Sequence, residues 1–221
     1  MYAVMWSGGK DSLLALKRVR LQGTPVGALL NFHDPATGRV PFHATRVELI
    51  EAQAASLTLP LRSIATTWEG FEPAFRLALE ALAEDGFNGL VFGDIHLADV
   101  RAWYEERVRQ AGLEHLEPIW GEDPISLLTE FVVEGGRAVI TCCETARLGE
   151  EWLGRVLDGR CLAELLGTDV DPCGENGEYH TFAFAGPPLS TPIGWQLGGR
   201  LGGGRFLQAD LLPAPIPAAW S

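Results

Sequence analysis

Basic residues are few in this 221-residue chain: 17 lysines and arginines stand against 29 aspartates and glutamates, a formal charge of −12. That deficit counts against an unaided grip on nucleic acid, whose phosphate backbone favours basic patches, so no nucleic-acid partner is expected. Cysteine is scarce too. Cys142, Cys143, Cys161 and Cys173 form no CxxC pair and no regular framework, which excludes a disulfide scaffold and argues against a structural zinc. His33, His96 and His115 lack metal-ligand spacing. No stretch approaches the roughly 20 apolar residues of a membrane span. The N-terminus also lacks the basic start, apolar core and small-residue cleavage site of a signal peptide. These absences predict reduced thiols and a cytoplasmic, membrane-free protein. With 47% hydrophobic residues and about 150 residues per domain as a guide, one large or two small domains can form a sizeable core.

Short apolar runs alternate with amphipathic stretches in the first half. "YAVMWS" (2–7), "PVGALLNF" (25–32), "LRSIAT" (61–66), "GLVFGD" (89–94) and "LEPIW" (116–120) read as strands. Helices are expected over 12–22, 44–58 and 69–84. A fourth follows, because Leu97, Val100, Tyr104, Val108 and Ala111 recur on one helical face. Continuous apolar strands alternating with helices predict a five-stranded parallel sheet covered on both faces, a Rossmann-like α/β fold. The pattern changes at "GEDP" (121–124). Residues 1–122 are therefore expected to form one domain and 123–221 a smaller α+β domain. In the second part a helix (125–135) and a strand (137–143) precede "DPCGENGEYHTFAF" (171–184), a loop entering a strand. Two more strands lie around "GGRLGGGR", before a loosely ordered proline-rich end. Cys142 and Cys143 fall on a strand and read as buried packing.

Two common phosphate-binding signatures are missing. A Walker A motif would need glycine at Val4 and a hydroxyl residue at Asp11, and no G-x-G-x-x-G occurs. What stands after the first strand is "SGGKDS", residues 7–12. Strand, glycine-rich turn and helix present backbone N–H groups and a positive helix end to phosphate oxygens. Ser7, Gly8, Gly9, Lys10, Asp11 and Ser12 are the candidate nucleotide-binding residues. The glycines would allow close approach, Lys10 would add charge, and Asp11 would orient the loop or support Mg²⁺.

"SGGKDS" resembles the pyrophosphate loop of the N-type ATP pyrophosphatases, the adenine nucleotide α-hydrolase-like proteins. With "FGDIHLADVR", "LEPIW", "LLTEFVVEGGRAVI", "WLGRVLD" and "CGENGEYHTF" following in order, the chain is similar to the diphthine–ammonia ligase family up to about residue 190. The resemblance implies ATP cleavage to AMP and pyrophosphate, adenylation of a carboxylate, and displacement of AMP by ammonia or an amine. In the characterised reaction the carboxylate belongs to diphthine on elongation factor 2. The family's second glycine-rich motif usually reads G-E-G-G-E-[YF]-E-T. Here Asn176 replaces a glycine and His180 an acid, a version that resembles the bacterial branch, and bacteria do not make diphthamide. The resemblance therefore implies the ATP chemistry and leaves the acceptor open. ATP, Mg²⁺, a small-molecule or protein carboxylate, and ammonia or an amine are the expected ligands, and a homodimer is compatible with them. Two other readings stay open: a pyrophosphatase modifying tRNA or another metabolite, and a non-catalytic nucleotide binder.

Further candidates follow from the same motifs. Lys10, Asp11, Glu175 and Glu178 are the expected catalytic groups, the two glutamates holding magnesium or the attacking amine unless they form only an acidic turn. Gly174, Asn176, Gly177 and His180 are assigned to the acceptor. Asp94 ends a strand where open α/β sheets bind ligands, or else caps the next helix. His43, from the loop after the second strand, would line the site. Arg101 would hold phosphate or carboxylate, or is an ordinary surface arginine. Trp120 would stack on a ligand or pack in the core, and Glu130 has a family counterpart or is an exposed helix glutamate.

Overall fold

The computed structural model describes residues 1–217. Its first sheet runs in the order β3-β2-β1-β4-β5, all neighbours parallel. The strands are β1 (Tyr2–Met5), β2 (Val26–His33), β3 (Leu61–Ala65), β4 (Gly89–Val91) and β5 (Glu114–Leu116). Helices α1 (Lys10–Leu21), α2 (Val47–Leu57), α3 (Phe71–Glu84) and α4 (Ala98–Gln110) join them. Central strands buried on both faces need apolar side chains in both directions. Thus Val4, Leu29 and Val91 pack with Leu13, Leu16 and Val19 of α1. Ala3, Ala28, Leu30 and Leu90 point the other way, against Phe75, Leu79 and Leu82 of α3.

The second sheet is antiparallel, β7-β6-β9-β8. It comprises β6 (Arg137–Glu144), β7 (Tyr179–Ala185), β8 (Trp195–Gly203) and β9 (Phe206–Pro213), with α5 (Pro124–Val133) and α6 (Gly159–Leu165) beside it. Its inner residues Ala138, Ile140, Tyr179 and Ala183 belong to the same apolar core as Val4 and Leu13. The two sheets therefore meet through buried side chains. All four cysteines are buried and free.

Several boundaries differ from expectation. The fifth strand covers 114–116, not 116–120, because Pro118 has no N–H to offer β4 and the chain turns with Trp120 N donating to Glu117 O (3.3 Å). Helix α1 starts at Lys10 rather than residue 12. Helix α6 was not expected; its start is signalled by Asp158, whose side chain accepts from Cys161 N at 2.8 Å. Most of the "GGRLGGGR" stretch lies within β8. In the proline-rich end, residues 214–217 lack regular structure, yet Ala214 N donates to Gly194 O (3.1 Å). The remainder of that expectation lies outside the described residues. Among the described residues no helix is long and apolar enough to cross a membrane.

Candidate functional site

The chain leaves β1 at Met5 and enters α1 at Lys10 through a turn that depends on glycine. Gly8 has φ +81°, and a Cβ there would lie 2.5 Å from Ile50 Cδ1. Its carbonyl accepts from Gln53 Nε2 (2.9 Å) and Ala183 N (2.8 Å) and so faces the protein. On the side where a Cβ would stand, the closeness Gly8 permits is to α2. Gly9 precedes α1, and a Cβ there would lie 2.8 Å from His43 Cε1. Gly9 N donates to Ser7 Oγ (3.2 Å), and Ser12 Oγ donates to Gly9 O (2.9 Å).

Lys10 is 2% exposed. Its Nζ donates to Asp11 Oδ2 (2.9 Å) and to Cys173 O, and lies 5.1 Å from the centre of the Tyr179 ring. Burial opposes the charge, but the Asp11 carboxylate and its neighbours outweigh this and raise the ammonium's pKa. Asp11 Oδ1, by contrast, is buried without a hydrogen-bond partner.

The loop borders a cavity of about 890 Å³ at the C-terminal ends of the parallel strands. In this strand order the chain diverges to opposite sides after β1 and β4, the place where open α/β sheets bind ligands. Ser7, Lys10, Asp11 and Ser12 line it after β1, and Asp94 after β4. His180 and Thr181 reach it from β7, Gly174 and Glu175 from the loop before it, and His43 from the loop after β2. Gly93 lets the chain just after β4 approach this closely, since a Cβ on it would lie 2.9 Å from the Asp11 carbonyl.

Three carboxylates from separate segments feel one another here. Burial pushes Asp94 up to about 7, with Glu175 and Asp11 adding repulsion. Glu175 is raised chiefly by burial, although its Oε1 accepts from Ile95 N (2.8 Å). Asp94 does not cap α4, which starts after Leu97 without a side-chain cap. His43 Nδ1 lies 2.9 Å from Thr181 O, so it carries the hydrogen; its ring centre is 4.8 Å from that of His180. Burial lowers both imidazoles' pKa values, His180 well below the usual value, with His43 and Lys10 adding to the effect there.

Other candidates lie elsewhere. Glu178, 1% exposed, accepts from Arg147 Nη1 (2.8 Å), Asp171 N (3.2 Å) and Asn176 Nδ2 (3.2 Å). It ties the second motif together rather than facing the cavity. Asn176 is exposed and Gly177, at φ +84°, turns the loop. Arg101 pairs with buried Glu117 (3.0 Å) and covers the Trp120 ring at 4.5 Å. Glu130 on α5 bridges Lys17 and Arg18 of α1 (2.9 Å each). None of these six lines the cavity. Sequence reasoning missed Gln53, Gly93 and Thr181. Thr181 stood inside the quoted motif, whereas a glutamine in an amphipathic helix gives no local signal.

A family model described as the diphthamide synthase N-terminal domain matches residues 1–115, and one described as its C-terminal domain matches 123–193. The chain belongs to the diphthamide synthase family. It is 28% identical over 204 residues to a diphthine–ammonia ligase of Schizosaccharomyces pombe, covering 82% of this chain and 34% of that one. A diphthine–ammonia ligase of Homo sapiens is 27% identical over 219 residues, covering 86% and 81%. The chain thus spans about a third of the length of the first relative. A solved structure from Methanocaldococcus jannaschii, titled a predicted subunit of tRNA methyltransferase, aligns with a TM-score of 0.39 and 17% identity. The alignment covers 85% of this chain and 93% of that one, and at that level it adds nothing to the assignment.

Proposed function

We propose that this protein is an ATP-dependent amide ligase. ATP is cleaved to AMP and pyrophosphate as a carboxylate is adenylated, and ammonia or an amine then displaces AMP. The relatives' name, diphthine–ammonia ligase, supports the reaction type. The observation that carries it is the meeting of "SGGKDS", at the switch point of the parallel sheet, with the Gly174–Thr181 segment across one cavity. A carboxylate oxygen leaves poorly and AMP leaves well, so one cavity must hold the nucleotide phosphates and the acceptor side by side. Preorganised donors of the loop and Lys10 would stabilise charge on the departing pyrophosphate.

Among the described residues no group of three His, Cys, Asp or Glu is gathered to hold a metal by itself. The residues do fit Mg²⁺ arriving with the phosphates: Asp11 Oδ1 is buried without a partner, and Asp94 stands among like charges. One or two carboxylates plus phosphate oxygens is a usual Mg²⁺ environment. Asp11 and Asp94 would hold the ion, which would neutralise phosphate charge. His43 and His180 are assigned to the acceptor side. The test is to incubate purified protein with Mg-ATP, ammonium and a panel of carboxylates. Pyrophosphate and AMP are expected; ADP and phosphate as main products would overturn the reading.

A further inference from the structure

Thr181 sits at the start of β7, paired with Ile140 of β6, and is 1% exposed yet borders the cavity. Its Oγ1 accepts from Lys10 N at 3.1 Å. That N–H is one of the first-turn donors of α1 that have no partner inside the helix. Its carbonyl accepts from His43 Nδ1. Two residues on, Ala183 N holds the Gly8 carbonyl turned into the protein (2.8 Å). A peptide's N–H points opposite its carbonyl, so this contact keeps the Gly9 N–H on the Ser7 side of the loop, where it donates to Ser7 Oγ. One strand of the second sheet therefore sets the orientation of the phosphate loop at two points.

A threonine hydroxyl that accepts one hydrogen bond still has its own hydrogen to give. Among the described residues the Thr181 hydroxyl hydrogen has no acceptor, and the cavity is beside it. We propose that Thr181 is a phosphate-binding residue of the ATP site, supplied by the second sheet and donating its hydroxyl hydrogen to the β- or γ-phosphate. The ATP site is then complete only when β7 is docked, and nucleotide binding and acceptor binding share a strand. This rests on the reading of "SGGKDS" as an ATP site.

The test is calorimetric binding of an ATP analogue carrying methylene between its α- and β-phosphates, with Mg²⁺, compared with AMP. Thr181→Val keeps the shape and removes the hydroxyl. It should weaken the analogue about tenfold, equivalent to ~1.4 kcal/mol, and change AMP less than about twofold. Thr181→Ser should stay within about twofold of wild type for both ligands, and so should Thr141→Val, a buried threonine of β6. If Thr181→Val fails to fold, Thr181→Ala, which leaves room for water, carries the same comparison. Wild-type affinity for the analogue in the folded variant would overturn the proposal. So would equal loss of the analogue and AMP, which would place the effect outside the part of the site that holds the β- and γ-phosphates. Failure of the wild-type protein to bind the analogue would instead overturn the ATP reading, and this proposal with it.

Discussion

Lys10 is held before any ligand arrives, by Asp11 and by the carbonyl of Cys173 in the second motif. A charge positioned in advance contributes most where new charge develops, which in the proposed reaction is the leaving pyrophosphate. Lys10→Ala should therefore slow pyrophosphate release by roughly a hundredfold while weakening ATP less than about tenfold. Equal losses in a rate measurement and a binding titration would show that the lysine serves binding alone. Glu178 has a different role. Its carboxylate is buried against Arg147 and two N–H donors, so Glu178→Gln should lower stability by about 2 kcal/mol. Urea unfolding would show this, with ATP affinity kept within about threefold. Of the two residues that depart from the usual motif, only His180 borders the cavity. His180→Glu should change which carboxylate stimulates pyrophosphate release, and Asn176→Gly should not; a shift caused by Asn176→Gly alone would reverse that assignment.

At the scale of elements, the strand–turn–helix unit and the alternation of five parallel strands with helices follow from local pattern, whereas the order of the strands in the sheet does not. β1, β2 and β4 are mostly apolar because both faces are covered, with Asn31 and His33 the polar exceptions in β2, and that shows in the sequence as apolar runs. Less legible were features set by distant partners. The "LEPIW" run looks like a strand, but Ile119 is buried from a turn and Pro118 cannot join the ladder. Glu130 and Arg101 look like ligand-binding charges, but their partners are Lys17, Arg18 and Glu117, which no spacing in the chain announces. Gly8 was expected to allow close approach, and the group it makes room for is Ile50 of α2. Gly93 follows the same rule. A Cβ there would meet the backbone of Asp11 and Ser12 at 2.9–3.0 Å, and backbone yields less readily than a flexible side chain. Gly93→Ala should cost roughly 1–3 kcal/mol by overpacking and weaken ATP binding more than Gly112→Ala, whose added Cβ meets open space but whose φ of +73° costs stability alone. Thermal unfolding and nucleotide titration of the two variants would separate packing at the loop from backbone strain elsewhere.

Across the whole molecule, the long loop after β2 reaches the cavity and is fastened to the second sheet. Asp210 of β9 accepts from Arg46 Nε and Nη2 (2.9 Å each) and from Arg39 Nη2 (2.7 Å). Arg39 also donates to Ala44 O (2.9 Å), closing the loop around His43. Phe42 and Ala44, on either side of His43, both have positive φ (62° and 55°). That conformation is costly for residues other than glycine and persists where surrounding contacts impose it. The fork of Arg46, opposed by burial and joined by Arg39, holds the Asp210 carboxyl down to about 2 from an ordinary 3.8. A carboxylate with a depressed pKa in the folded state stabilises fully above its unfolded pKa and loses that contribution as pH falls through the folded one. Asp210→Asn should therefore cost up to about 2 kcal/mol at neutral pH. Its stability should converge on that of wild type between about pH 4 and pH 2, as Asp210 becomes protonated in the native protein. Because the fastening also sets His43 against Gly9 and Thr181, the variant should show faster amide exchange across residues 34–46 and weaker ATP binding at pH 7. Unchanged exchange in that loop, together with parallel stability curves from pH 7 to pH 2, would mean that β7 alone holds the phosphate loop in place.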